Sequence, residues 1–158
     1  MAFKKVSVIG LGYIGLPTAA VIASRGIEVI GIDVSEKAVD IINQGKVHIV
    51  EPDLDMVVQA AVTMGKLRAS LTPEPADAFM IAVPTPFKDE HKPDLSFIQK
   101  AAEAIAPVLE KGNLVILEST SPVGATEKLS QWLQELRPDL HFPGQTSQEP
   151  NVYVAHCP

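Results

Sequence analysis

A doubly wound α/β domain, one parallel sheet between two layers of helices, is predicted by three features of this sequence. Short apolar runs alternate with segments of helical periodicity along the whole chain. The first run, Val6-Ser7-Val8-Ile9, passes straight into Gly10-Leu11-Gly12-Tyr13-Ile14-Gly15 and then into an apolar helical segment, 18–24. The second run, 28–32, ends in Asp33, eighteen residues beyond Gly15. Together these make a dinucleotide-binding βαβ unit, so the expected architecture is a single three-layer domain of Rossmann type.

Each element then has its own justification. The first glycine allows a tight turn, Gly12 lets backbone approach a pyrophosphate, and Gly15 lets the helix pack closely on the strand. The helix start offers free N–H groups and about half a unit of positive charge to a diphosphate. After the second strand, Ser35 can cap a helix carrying Ala38, Val39, Ile41 and Ile42 on one face, with Gly45 as its stop. The spacing of Leu54, Val57, Val58 and Ala61 predicts a helix over 52–64, ended by Gly65. A short strand follows at 67–70, and a buried one at 78–83. Asp94 is expected to cap a helix over 95–109 in which Pro107 forms a kink or a stop. A fifth strand at 114–117, a helix at 126–136 turning Trp132 toward the core, and a sixth strand at 152–155 complete the pattern. Right-handed crossovers place every strand's carboxyl end on one edge, where a ligand binds.

Composition narrows the function classes. With 158 residues, 46% hydrophobic and 20% charged, the chain has material for one core and no room for a second domain. Its net charge of −6 and thirteen scattered Lys and Arg present no surface for nucleic acid or anionic lipid. No apolar run reaches the roughly 18 residues of a membrane span, and the first strand begins where a signal peptide would lie. Cys157 is the single cysteine, so the reading is a cytoplasmic chain without an internal disulfide. No Cys/His set has metal-ligand spacing, so no metal is expected.

Three loops at the predicted edge carry candidate chemistry. Asp33 would accept from ribose hydroxyls and repel a 2′-phosphate, and no arginine follows it in Val34-Ser35-Glu36-Lys37, so NAD rather than NADP is expected. The plainer alternative is an exposed turn carboxylate, with Lys37 a solvated lysine. Pro84 and Pro86 hold Thr85 in extended backbone with its hydroxyl free for a nicotinamide ribose or diphosphate, or else form a stiff turn with no ligand. Glu118-Ser119-Thr120-Ser121-Pro122 clusters hydroxyls beyond the fifth strand, which could also be capping of the next helix. His91 and His141 read as exposed, and His48 and Glu51 as a loop histidine and a helix-entry acid. His156 and Cys157, neighbours along a strand, point to opposite faces and form no dyad.

Five stretches in order, VIGLGYIGLPTA, HIVEPDL, IAVPTPF, ESTSPVGATEK and the terminal AHCP, resemble the N-terminal NAD-binding domain of the UDP-sugar dehydrogenases. Within that family they resemble the UDP-N-acetylhexosamine branch, the UDP-N-acetyl-D-mannosamine dehydrogenases above all. The resemblance implies oxidation of the C6 hydroxyl of a UDP-hexosamine to a carboxylate in two NAD-dependent steps. By position it also implies that Tyr13, Ile14, Asp33, Thr85 and Thr126 contact NAD beside Gly10, Gly12 and Gly15, and that Thr120 positions a water or hydroxyl at the reacting carbon. Pro17 fits the family's GLP and is tolerated in a first helical turn. In this family AHCP runs on into an acidic residue, a linking helix, a catalytic lysine and a nucleophilic cysteine, with which Cys157 does not align. Residues 1–158 are thus expected to be the cofactor domain alone, without turnover. A linking helix that builds a homodimer in the family would leave apolar surface here, so self-association or marginal stability is expected. Two other readings stay open. One is a stand-alone NAD- or nucleotide-sensing module, against which the last strand at the chain's end argues. The other is the cofactor domain of a UDP-glucose, hydroxyacid or 6-phosphogluconate type dehydrogenase, the last two disfavoured by the PTP and STSPVG loops.

Overall fold

The structure, a computed structural model, describes residues 2–88 and 91–158. Among these residues six parallel strands form one sheet: β1 (Lys5–Ile9), β2 (Glu28–Ile32), β3 (Leu67–Ser70), β4 (Ala78–Ile81), β5 (Leu114–Leu117) and β6 (Tyr153–His156). Their order, β3-β2-β1-β4-β5-β6, reverses direction between β1 and β4, which opens a crevice at the carboxyl edge. Helices α1 (Gly15–Ser24), α2 (Glu36–Asn43) and α3 (Leu54–Thr63) belong to the first half of the chain; α4 (Ser96–Ile105) and α5 (Ala125–Leu136) belong to the second.

Strand alternation sends side chains of β1 into two separate cores. Val6 and Val8 pack with Leu16, Ala19 and Ala23 of α1 and Val58 of α3. Ile9, with Phe79, Ile81, Val115 and Leu117, packs against Ile98 and Ile105 of α4 and Leu129 and Leu133 of α5. The small residues on α1 let that helix lie close to the sheet directly above the crevice. Trp132 is half-buried against the second core, as its helical position predicts.

Element boundaries differ from expectation where local chemistry intervenes. Ser35 caps α2 through a bond from the Ala38 amide at 3.2 Å, and Gly45 follows at φ +75°, both as expected. α3 begins at Leu54 rather than at residue 52, because Asp53 takes a left-handed conformation, φ +59°. α4 stops at Ile105, and Ala106–Val108 tighten into a 3₁₀ turn around Pro107, whose ring cannot follow a helical carbonyl. Asp94 Oδ1 accepts from the Ser96 amide, the first of α4, at 2.9 Å, but the cap position falls on Leu95 rather than on Asp94 and carries no side-chain cap. β4 ends two residues early, although the Ala82 amide still donates to Ile9 O at 2.8 Å. Ala125 starts α5 one residue early, and β6 runs one residue later than predicted at each end.

At the opposite edge, Glu74 accepts from both Arg68 Nη1 and Nη2 and from Lys5 Nζ. The Arg68 guanidinium first, and Lys5 after it, hold the Glu74 carboxyl at about 2, below its usual value of 4.5. A carboxyl depressed by folding stabilises above its unfolded value and loses that contribution as pH falls through its folded value. Glu74→Gln is therefore expected to flatten the decline of stability between pH 4.5 and 2. The change is modest because the side chains are 39% and 46% exposed and screened by solvent. Chemical denaturation of both proteins at stepped pH measures it; parallel pH profiles would refute the assignment.

Candidate functional site

The glycine turn after β1 is built by exclusion of side chains. Gly10 has φ +93°, and a Cβ there would lie 2.8 Å from Ala82 O. At Gly15 a Cβ would lie 1.7 Å from Gly10 O, so the helix can begin here only because the residue has none. A Cβ on Gly12 would meet nothing within 4 Å. Open space in front of a turn, at the backbone that leads into the N-terminus of α1, is a concavity with room for a diphosphate, although the Leu16 and Thr18 amides are already bonded to Gly12 O and Ile14 O.

Asp33 is tied into this turn. Its Oδ2 accepts from the Leu11 amide at 3.0 Å and its Oδ1 from the Ser35 amide at 2.9 Å. The carboxylate thus sets the shape of the turn from the end of β2, while each oxygen keeps a further lone pair. That exceeds the exposed turn carboxylate of the plainer alternative.

Beyond the turn, a cleft of about 750 Å³ opens over the ends of β1, β4, β5 and β6. Tyr13 and Ile14, 62% and 56% exposed, stand at its mouth with Gly12, and Pro17 and Thr18 of α1 form one wall. Val83, Pro84 and Thr85 follow β4, Glu118, Ser119 and Thr120 follow β5, and exposed Cys157 with Pro158 closes the far side. Of the residues singled out from the sequence, Gly12, Tyr13, Ile14, Thr85 and Thr120 meet in this cleft. Gly10, Gly15 and Asp33 shape the turn beside it. Thr126 lies within the first turn of α5 and is not part of the lining.

Several expectations are amended. The Thr85 hydroxyl is not free, because it donates to Thr120 O; it remains available as an acceptor, and the bond latches the two loops together. Capping does not account for the hydroxyl cluster beyond β5: α5 starts behind Gly124 at φ +90° with no side-chain cap. Ser121 Oγ donates to Ser119 O at 2.9 Å, while the Ser119 hydroxyl is buried without a partner. His141 is half-buried rather than exposed, with Nδ1 buried and unpartnered, because its backbone pairs with Asn151. His91 is exposed, as are His48 and Glu51, which lie away from the cleft. His156 Nε2 lies 3.3 Å from Ser119 O, turned to that loop rather than paired with Cys157.

Two cleft residues were missed from the sequence. The Thr18 hydroxyl donates to Glu118 Oε1 at 2.9 Å, across 100 residues of chain, and Glu118 Oε2 is buried with no partner. A polar side chain in the first turn of an otherwise apolar helix, and an acid ending an apolar strand, both belong to the same sheet edge in this topology. That conjunction was the available signal. Among the described residues no group of three His, Cys, Asp or Glu could hold a metal ion, and no helix is long and apolar enough to cross a membrane.

The model of the UDP-glucose/GDP-mannose dehydrogenase family, NAD binding domain, matches residues 4–158. An NDP-N-acetyl-D-galactosaminuronic acid dehydrogenase of Ralstonia nicotianae is 67% identical over 156 residues, 99% of this chain and 37% of that protein. The UDP-N-acetyl-D-mannosamine dehydrogenase of Escherichia coli K12 is 62% identical over 158 residues, 100% of this chain and 38% of that protein. The chain thus spans 37–38% of the length of these curated relatives. Among solved structures, the UDP-N-acetyl-mannosamine dehydrogenase of Staphylococcus aureus superposes with a TM-score of 0.86 at 37% identity, covering 98% of this chain and 36% of that one. A ternary complex of GDP-mannose dehydrogenase from Pseudomonas aeruginosa gives 0.83 at 30% identity, covering 94% and 34%.

Proposed function

Because the chain belongs to the UDP-glucose/GDP-mannose dehydrogenase family, as its NAD-binding domain, we propose that it is the cofactor half of a dehydrogenase acting on a UDP-N-acetylhexosamine. In that reading the longer protein oxidises the C6 hydroxyl to a carboxylate in two NAD-dependent steps. A nicotinamide supplies the hydride acceptor for each step. The single observation that carries the reading is the glycine turn: open in front of Gly12, walled behind Gly10 and Gly15, and fixed by Asp33.

The residues of this chain bind and orient. Asp33 accepts from the adenosine ribose hydroxyls, while Gly10, Gly12, Gly15 and the backbone leading into α1 hold the diphosphate. Tyr13, Ile14 and Thr85 contact the remainder of the dinucleotide. Thr126, at the start of α5, contacts it from outside the cleft lining. Thr120, exposed at the end of β5, positions a water or hydroxyl beside the reacting carbon. The hexosamine class is supported by relatives named for N-acetylhexosamine sugars at 62 and 67% identity. The catalytic lysine and nucleophilic cysteine are supplied from chain beyond residue 158, as is the helix that makes a homodimer, and the reaction takes place in the cytoplasm.

NADH formation tests the division of labour. The 158-residue chain mixed with NAD and UDP-N-acetyl-D-mannosamine is expected to form no NADH, while binding NAD in a calorimetric titration. Turnover by the chain alone would overturn the proposed absence of covalent catalysis from it, and failure of a folded chain to bind NAD would overturn the cofactor assignment.

A further inference from the structure

The order of strands divides any dinucleotide laid along the sheet edge. Asp33 ends β2, the glycine turn joins β1 to α1, Thr85 follows β4 and Glu118 follows β5. With the adenosine ribose on Asp33 and the diphosphate on the turn, the nicotinamide end falls over β4 and β5, inside the cleft. This step rests on the cofactor reading above. The described residues lining that cleft include one acidic side chain, Glu118, and no lysine, arginine or histidine.

The Glu118 carboxylate is held on one side only. Oε1 accepts from the Thr18 hydroxyl at 2.9 Å, whereas Oε2 is buried and has no partner. A carboxylate oxygen shielded from water and left without a donor is unfavourable unless something else complements its charge. Among the described residues no basic side chain lines the cleft to do so. The two redox forms of a nicotinamide differ in this respect: the oxidised ring is a cation and the reduced dihydropyridine is neutral.

We propose that Glu118, steadied by Thr18, selects the redox state of the cofactor by complementing the cationic ring of NAD and leaving NADH without that attraction. A carboxylate with an oxygen shielded from water attracts a unit positive charge more strongly than the same pair would in bulk water. Two successive oxidations require NADH to leave and NAD to replace it between steps, and a carboxylate in this place favours that exchange. Glu118 is a specificity-determining residue in this account and takes no proton.

Calorimetric titration of the chain and of Glu118→Gln with NAD, NADH and ADP-ribose tests it. Glutamine keeps the length of the side chain and an oxygen for the Thr18 hydroxyl but removes the charge. The wild type is expected to bind NAD more tightly than NADH, and the substitution to shrink that ratio by on the order of tenfold while ADP-ribose affinity is unchanged. An unaltered NAD to NADH ratio in Glu118→Gln would overturn the proposal, and so, without any variant, would a wild type that binds NADH as tightly as NAD. Failure of ADP-ribose to bind folded chain would instead remove the cofactor reading itself, and this inference with it.

Discussion

Gly15→Ala is expected to cost the chain much of its stability, and Gly12→Ala only its ligand. The methyl group at residue 15 would lie 1.7 Å from Gly10 O and 2.8 Å from Gly10 C. Those are backbone atoms, fixed by the Gly10 amide donating to Ile32 O at 2.8 Å and by the Asp33 bond to Leu11. No rotamer relieves such an overlap, so the turn must open and α1 must lift from the core that Leu16, Ala19 and Ala23 complete. A loss on the order of 4 kcal/mol places the substitution among the severe ones, a fall in melting temperature of about 10 °C or more for a chain of this size. At residue 12 the same methyl group meets nothing within 4 Å. Stability should move by less than about 0.5 kcal/mol there, while the methyl group stands where the diphosphate would lie and NAD affinity falls by at least about tenfold. Thermal unfolding and NAD titration of the two variants separate these effects. Wild-type stability in Gly15→Ala, or undiminished binding in Gly12→Ala, would contradict the account.

Asp33→Ala carries the second large effect, and here two causes must be told apart. Alanine removes the acceptors of both the Leu11 and Ser35 amides, which destabilises the chain by about 1–2 kcal/mol and loosens the turn. It also removes the carboxylate proposed to accept from ribose hydroxyls and to repel a 2′-phosphate. A loosened turn would weaken NAD and NADP alike; loss of the charge changes their ratio. The wild type is expected to prefer NAD strongly, and Asp33→Ala to lose NAD affinity by at least about tenfold while narrowing the preference by a similar factor. A variant that weakens both dinucleotides in parallel would show Asp33 to be a brace for the turn and nothing more. Competitive titrations with the two cofactors decide it.

The legible parts of the fold were those written in local pattern. Alternating apolar runs located the strands within two residues, and α2 was bounded by the capping hydroxyl of Ser35 and the left-handed backbone of Gly45. Asp53 defeated the prediction for α3 because a left-handed aspartate leaves no trace in hydrophobic spacing. At the site, the glycine spacing announced the turn and the prolines around Thr85 marked its loop. What stayed hidden was long-range pairing: Asp33 with Leu11 across 22 residues, Thr85 with Thr120 across 35, Thr18 with Glu118 across 100. Each of these bonds depends on where folding brings two strand ends together, and no single window of sequence contains both partners. Glu118 in particular reads as one more polar residue in a hydroxyl-rich loop until α1 is laid over it.

The pairing of β1 with β4 sets Val6 beside Ala78, partners separated by nearly half the chain, and it is the seam at which the first three strands meet the last three. Closing a flexible loop of that length costs roughly 4 kcal/mol of chain entropy. Asp77, accepting from the Lys4 and Lys5 amides, and the Thr18–Glu118 bond both cross the same seam. A dinucleotide reaching from Asp33 to the ends of β4 and β5 would cross it as well, acting as a non-covalent cross-link between the two halves of the chain. At a hundredfold excess over its dissociation constant such a ligand stabilises the folded state by about 2.7 kcal/mol, comparable with the entropy of that closure. Occupancy of the cleft and integrity of the sheet are, in this molecule, two sides of one equilibrium.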